Sequence, residues 1–274
     1  MAIVVLNALE QVTLNGSSVR RKATIRFWYQ LLSRLDTQAL MPLMNYGYAA
    51  LDPHSPIIPL PAEEEPHRYG LQLYRRVAGA ADLHGRSVLE IGCGRGGGAA
   101  HLARTLKPAT YTGMDFSQRA IAFCQARHQA AHLRFVPGDA EALPFGDAQF
   151  DRIINVESSH CYPAFECFIA EVTRVLRPGG LLLYTDWRPA TQLEQWRAQI
   201  TKTGLQIIED TSITANVLRA LDLDHQRKLE LIRAHAPKLI ERRFAAFAGL
   251  RGSPIYRRFQ SGELEYRLIV LRKP

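Results

Sequence analysis

The stretch Val88-Leu-Glu-Ile-Gly-Cys-Gly-Arg-Gly-Gly-Gly98 decides the fold. Val88, Leu89 and Ile91 suit a central parallel strand, and Glu90 is the acid just before the first glycine. Gly92, Gly94 and Gly96 allow a tight turn and let backbone N–H groups approach a ligand closely. Gly92, Gly94 and Gly97 also satisfy the G-x-G-x-x-G dinucleotide pattern. Asp115 stands 23 residues beyond Gly92, where a ribose-binding acid is expected. The loop predicts a nucleoside cofactor and leaves open which one.

Downstream, strand and helix signals alternate, which predicts βαβ units and a parallel sheet. Strands are expected at 87–91, 110–114, 133–137, 150–156, 180–185 and 205–209, and a last one at 263–272. Helices fit 97–105, 118–128 and 164–176, the last stopped by Arg177-Pro-Gly-Gly180. With no helical crossover to make them parallel, the final two strands are expected to form an antiparallel edge. The expected fold is α/β, a Rossmann-like, mostly parallel seven-stranded sheet with an antiparallel last strand. Residues 1–80 read as a helical N-terminal extension, with helical spacing at Arg26–Leu35 and a helix from Gln72 to Val77. Residues 81–187 form the cofactor-binding core, 188–260 a helical cap with the sixth strand, and 261–274 the closing strand. In the cap, 224–235 and 237–247 read as amphipathic helices. Leu229, Ile232, Ala236, Leu239, Ile240, Phe244 and Phe247 repeat at helical spacing, either gluing helices to sheet or walling an apolar pocket.

Composition narrows the class. With 274 residues, 47% of them hydrophobic and 22% charged, the chain reads as an ordinary soluble globular protein with one large core. Its apolar runs are too short to span a bilayer, and its N-terminus lacks the features of a signal peptide. The four cysteines show no paired spacing, which fits reduced thiols in a cytoplasmic setting, and no metal-ligand pattern is present. The net charge is +8, and nearly all of it comes from residues 225–258, with nine Lys or Arg against two acids. That run reads as a solvated face or as a surface for an anionic partner. No nucleic-acid-binding module is visible.

Three later features choose the cofactor. Gly138-Asp-Ala-Glu-Ala-Leu-Pro-Phe145 offers a carboxylate for an exocyclic amine and an apolar slot for a purine. Phe150-Asp-Arg-Ile-Ile-Asn-Val-Glu-Ser-Ser-His160 is a fourth strand carrying Glu157 and His160 at its C-terminal end. The Arg-Pro-Gly-Gly turn precedes the antiparallel close. Together with the glycine loop, these motifs resemble the class I S-adenosylmethionine (SAM)-dependent methyltransferases, closely over 86–187 and more loosely to the C-terminus. Asn155–Pro163, Ser261–Tyr266 and Asn45–Tyr48 are similar to the mycobacterial phthiotriolone and phenolphthiotriolone methyltransferases. A more distant likeness runs to O-methyltransferases of antibiotic pathways.

The resemblance implies roles. Glu90, Gly92, Gly94 and Gly96 match the loop around the amino-acid part of SAM, and Asp115 matches the acid on the ribose hydroxyls. Phe116 would pack on adenine, Asp139, Ala140 and Glu141 would meet its edge, and Asn155 and Val156 would floor the methionine portion. For Glu141 a solvated helix cap is the competing reading. His160 is the expected general base and Asp186 its orienting partner, as in the antibiotic sugar O-methyltransferases; a packing or capping histidine is the alternative. Glu157 is a second acid/base or a hydrogen-bonding wall residue, Tyr46 and Tyr48 a lid or packing groups, and Trp187 lies near the acceptor. The expected reaction is transfer of methyl to a hydroxyl of a small apolar natural product. C-methylation of a terpenoid and SAM binding without catalysis are the other readings, and a homodimer stays open.

Overall fold

The computed structural model describes residues 42–235, 238 and 241–274. The expected helix at Arg26–Leu35 therefore lies outside the described residues, as do Ala236, Pro237, Leu239 and Ile240 of the cap. The described residues build one seven-stranded sheet, ordered β3-β2-β1-β4-β5-β7-β6. Its strands are β1 Ser87–Ile91, β2 Thr110–Asp115, β3 Leu133–Pro137, β4 Phe150–Val156, β5 Leu176–Pro189, β6 Gln206–Ser212 and β7 Leu264–Arg272. Neighbours from β3 through β5 pair parallel, whereas β7 is antiparallel to both β5 and β6. The last strand therefore does not lie at the edge. It lies between β5 and β6, and the four helices described between β6 and β7 correct the expectation that no helical connection separates the final two strands, which nevertheless pair antiparallel.

Those four helices are α6 Thr214–Leu223, α7 His225–His235, α8 Glu241–Phe247 and α9 Pro254–Gln260. Earlier come α1 Arg68–Ala78, α2 Gly97–Leu106, α3 Gln118–Arg127, α4 Phe165–Val175 and α5 Leu193–Thr201. Strand alternation divides the core between the two faces of the sheet. Val88, Tyr111, Ile154, Val156 and Leu183 pack with Leu73, Tyr74 and Val77 of α1 on one face. Leu89, Ile91, Ile153, Leu182 and Tyr184 pack with Phe168 of α4 and Trp196 of α5 on the other. One consequence for the site is that Asn155 and Val156 point to opposite faces.

Strand β5 is longer than its sequence signal at both ends. Leu176 already pairs with Phe150, so α4 stops at Val175 rather than at the Pro-Gly turn, and Gly179 takes a positive φ of 73°. At the other end Asp186, Trp187 and Arg188 stay paired with β7. Asp186 is thus held inside the sheet, not in the loop that follows it. Among the described residues no helix is long and apolar enough to cross a membrane.

Candidate active site

The glycine loop joins β1 to α2 at the C-terminal end of the sheet, where open α/β folds place their ligands. Gly92 and Gly94 have φ of 78° and 55°. A Cβ on Gly92 would stand 2.4 Å from the Ser158 Oγ, so this approach of the β4 loop excludes any side chain. Gly92→Ala is expected to cost roughly 1–3 kcal/mol of stability through strain and overlap. A thermal melt checks this, with ligand affinity weakened alongside.

Beneath the loop Glu90 is fully buried. Its carboxylate accepts from Tyr74 Oη at 2.8 Å and Tyr111 Oη at 2.7 Å. Burial pushes its carboxyl up to about 7, against the two hydroxyl donors. Glu90, which the resemblance matches to the loop around the amino-acid part of SAM, does not line the cleft; it ties α1 and β2 to the loop from behind. Tyr74 does reach the wall.

An open cleft of about 1120 Å³, its mouth included, runs along the ends of β1, β2 and β4. Gly92, Gly94, Asp115, Phe116, Asp139, Ala140, Glu141 and Val156 all line it. Asp115 accepts from the Gly94 N–H at 2.9 Å and the Ser117 N–H at 2.8 Å. Burial raises its carboxyl to about 6 while those amides favour the anion. Glu141 also receives the Ala164 N–H at 2.8 Å, so it caps the start of α4 from the cleft wall. Gly96 lies behind the wall, where a Cβ would meet Phe135 at 2.8 Å. Asn155 likewise does not line the cleft. Its amide donates to the Ile91 carbonyl and the Ser158 Oγ, both at 2.8 Å, and so braces β1 and the β4 loop. The alternation of β4 explains why Val156 reaches the cleft and Asn155 does not.

A second cavity of about 760 Å³ abuts the first. Leu43, Met44, Asn45 and Glu157 line both. His160 lines the second, opposite Lys228, Leu231 and Ile232 of α7 and Phe247 of α8. His160 sits in a single helical turn, Ser159–Cys161, just past β4. Its Nδ1 lies 2.8 Å from Asp186 Oδ1, and its backbone N–H donates to Oδ2 at 2.8 Å. Trp187 stacks on the imidazole, 4.7 Å between centroids, and lines neither cavity. Burial disfavours the imidazolium, but the Cys161 sulfur and Asp186 more than offset it and hold the ring well above its usual range.

Asp186 is fully buried and also accepts from Ser159 Oγ at 2.6 Å. Burial opposes its charge, yet His160 and Arg188 keep the carboxyl well below the usual range. Arg188 closes this chain of charges, 3.5 Å from Asp186, with its guanidinium 4.6 Å over the Trp196 ring.

Glu157, just past β4, adopts a left-handed φ of 48°. It accepts from the Tyr46 N–H at 2.7 Å and from Tyr266 Oη at 2.6 Å, while burial pushes its carboxyl to about 7. Of its two sequence readings the geometry favours the wall residue: it pins the 42–46 segment between the cavities. Tyr46 lines the second cavity, edge-on to Phe259 at 5.7 Å. Tyr48 lines neither; its backbone bonds to Tyr69 and its ring packs on the core. Met44, Asn45, His67 and Lys228 were not singled out from sequence as site residues. Asn45 belongs to the Asn45–Tyr48 stretch of the resemblance and Lys228 to the basic run, but no local pattern marks any of the four as a cavity residue; the fold brings them together.

Residues 89–184 match the methyltransferase domain model. The chain is 42% identical to the phthiotriol/phenolphthiotriol dimycocerosates methyltransferase of Mycobacterium tuberculosis, over 94% of this chain and 95% of that protein. It belongs to the SAM-dependent methyltransferases. It is also 42% identical to the fatty-acid O-methyltransferase of Mycolicibacterium smegmatis, over 84% of this chain and 83% of that one. Among solved structures, the [4+2]-cyclase SpnF superposes with a TM-score of 0.71 at 22% identity, covering 92% of this chain and 97% of that one. The geranyl diphosphate C-methyltransferase of Streptomyces coelicolor A3(2) superposes at 0.64 and 18%, covering 93% and 98%. These two likenesses show the fold alone, which hosts a cyclase as well as a methyltransferase. Membership of the methyltransferases rests on the sequence relatives.

Proposed function

We propose that this methyltransferase moves the methyl group of SAM to an oxygen of a lipid-like acceptor, with the cofactor in the first cavity and the acceptor in the second. The observation that carries this reading is the shared partition. Glu157 and the 42–46 segment line both cavities, and His160 faces the second from beside it. Two ligands so placed would meet end to end, which is what an in-line displacement needs. The two relatives named for lipid substrates support the choice of acceptor.

The first cavity fits SAM. Where a Cβ of Gly94 would stand, only Met44 among the described residues comes within 4 Å, so the loop backbone faces the cleft. Asp115 would accept the ribose hydroxyls, Phe116 would cover adenine, and Asp139, Ala140 and Glu141 would meet its edge. Val156 would floor the methionine end, with Glu90, Gly96 and Asn155 bracing that wall from behind. When bound, SAM supplies a sulfonium-activated methyl group. The chain's own residues then hold the acceptor oxygen, exclude water and take its proton.

His160 is the proton acceptor. With Nδ1–H given to Asp186, the basic lone pair resides on Nε2. Asp186 fixes the tautomer and stabilises the imidazolium that forms. Trp187 and Arg188 hold this pair from behind. Helices α7 and α8 furnish the apolar wall of the acceptor cavity, through Leu231, Ile232 and Phe247. Filling that space tests the division of labour. Leu231→Trp should abolish turnover of a long-chain acceptor and leave the SAM dissociation constant unchanged. Unaltered turnover would place the acceptor elsewhere.

A further inference from the structure

Two polar side chains, Asn45 and Glu157, line both cavities, and Glu157 is the one that carries a charge. A left-handed φ is uncommon for a residue with a side chain, yet the fold holds this glutamate there. Its N–H donates to the Thr185 carbonyl at 2.8 Å. The Tyr46 N–H and the Tyr266 hydroxyl both donate to one carboxylate oxygen, Oε2. The two sides of the partition differ in charge. On the side of the second cavity stand His67, His160, Arg227 and Lys228. His160 and Lys228 favour the Glu157 anion and Asp186 opposes it, while burial keeps the hydroxyls of Tyr46, Tyr74 and Tyr266 neutral. On the side of the first cavity stand Asp115, Asp139 and Glu141, with Arg95 as the guanidinium among the described residues. That cleft is rich in acids, and Glu157 is the acid at the end it shares with the second cavity.

We infer that Glu157 is the counter-ion of the cofactor's sulfonium, and that its charge makes the cleft prefer SAM to S-adenosylhomocysteine, the neutral thioether left once the methyl has gone. Asp115, Asp139 and Glu141 would meet the nucleoside, which is the same in both molecules, so they cannot tell them apart. The charge that vanishes on transfer belongs at the crossing between the cavities, and Glu157 is the acid there. Burial pushes its carboxyl to about 7, so a bound cation keeps it ionised and a neutral thioether lets it take up a proton. Loss of the sulfonium would then loosen the spent cofactor from the site. The inference rests on the proposed placing of SAM in the first cavity and the acceptor in the second.

The test is calorimetric titration of the full chain with SAM, S-adenosylhomocysteine and sinefungin, which carries a protonated amine in place of the sulfonium methyl. Wild type should bind SAM more tightly than S-adenosylhomocysteine above pH 7, and the ratio should shrink as the pH falls through about 7 and Glu157 gains a proton. Asp115, raised to about 6, would affect both ligands alike and cancel from the ratio. Glu157→Gln keeps the shape and removes the charge. It should weaken SAM and sinefungin by roughly 10- to 100-fold, the effect of one close opposite charge, and leave S-adenosylhomocysteine nearly unchanged. Tyr266→Phe removes one donor to the carboxylate, so the midpoint of the ratio should move to higher pH. No preference for SAM in wild type, or equal weakening of all three ligands by Glu157→Gln, or of none, would overturn the inference. Asp115→Asn reads the underlying placement separately: if it left every affinity unchanged, the cofactor would not occupy the first cavity and the proposed function itself would fail.

Discussion

Replacing His160 with alanine should lower kcat for methylation of a hydroxyl acceptor by roughly 10²- to 10⁴-fold, the usual contribution of a positioned general base. SAM affinity should hold, because His160 is not part of the first cavity's wall. A loss confined to kcat is the signature of a group that acts on the reacting proton. The variant also removes the ring stacked on Trp187, so a thermal melt must accompany the kinetics. His160→Gln, which keeps a polar side chain of similar reach, separates the two effects: it should retain stability and remain slow. Unchanged turnover in both would remove His160 as the base.

Asp186→Asn should cost nearly as much, and it carries a second signature in pH. The base form of His160 is the neutral imidazole, and its pKa is raised well above the ordinary value. The wild-type rate should therefore climb with pH through that raised value, since protons must leave before the ring can accept one. Removing the Asp186 charge destabilises the imidazolium, so the rising limb should move to lower pH. Even so, the plateau should fall by roughly 10²-fold or more, because an amide oriented by Ser159 and the His160 backbone cannot hold the required tautomer. Arg188→Met should move the limb the opposite way. Without the guanidinium 3.5 Å from Asp186, the carboxylate is less compensated and favours the imidazolium more. A pH–rate series on the three proteins reads these signs directly. If the limb stays in place in both variants, another group sets it.

The strand series was legible because each parallel strand is a short apolar run ended by glycine, proline or an acid. The glycine loop, Asp115 and the 138–145 segment were legible for the same reason, since local chemistry at fixed spacing defines them. What the sequence could not show is which way a side chain points. Glu90 and Asn155 belong to the right motifs, yet strand alternation and two tyrosine hydroxyls turn them behind the wall. The pairing of His160 with Asp186 was expected from resemblance, whereas its geometry depends on β5 continuing past Thr185 against β7. The wall of the second cavity was least legible. It joins the 42–46 segment to α7 and α8, far apart in sequence, and no periodicity reports that they meet.

In the proposed function one partition separates a SAM cleft from a lipid cavity, and methyl passes to oxygen across it. The most direct test is to supply SAM carrying a labelled methyl group together with a lipid extract, and to determine the bond by which the label is held in the product. The arrangement around His160 predicts label in an O-methyl group of an apolar lipid, and little in the same product when His160 is replaced. Label on carbon, or SAM bound tightly with no lipid labelled at all, would contradict it.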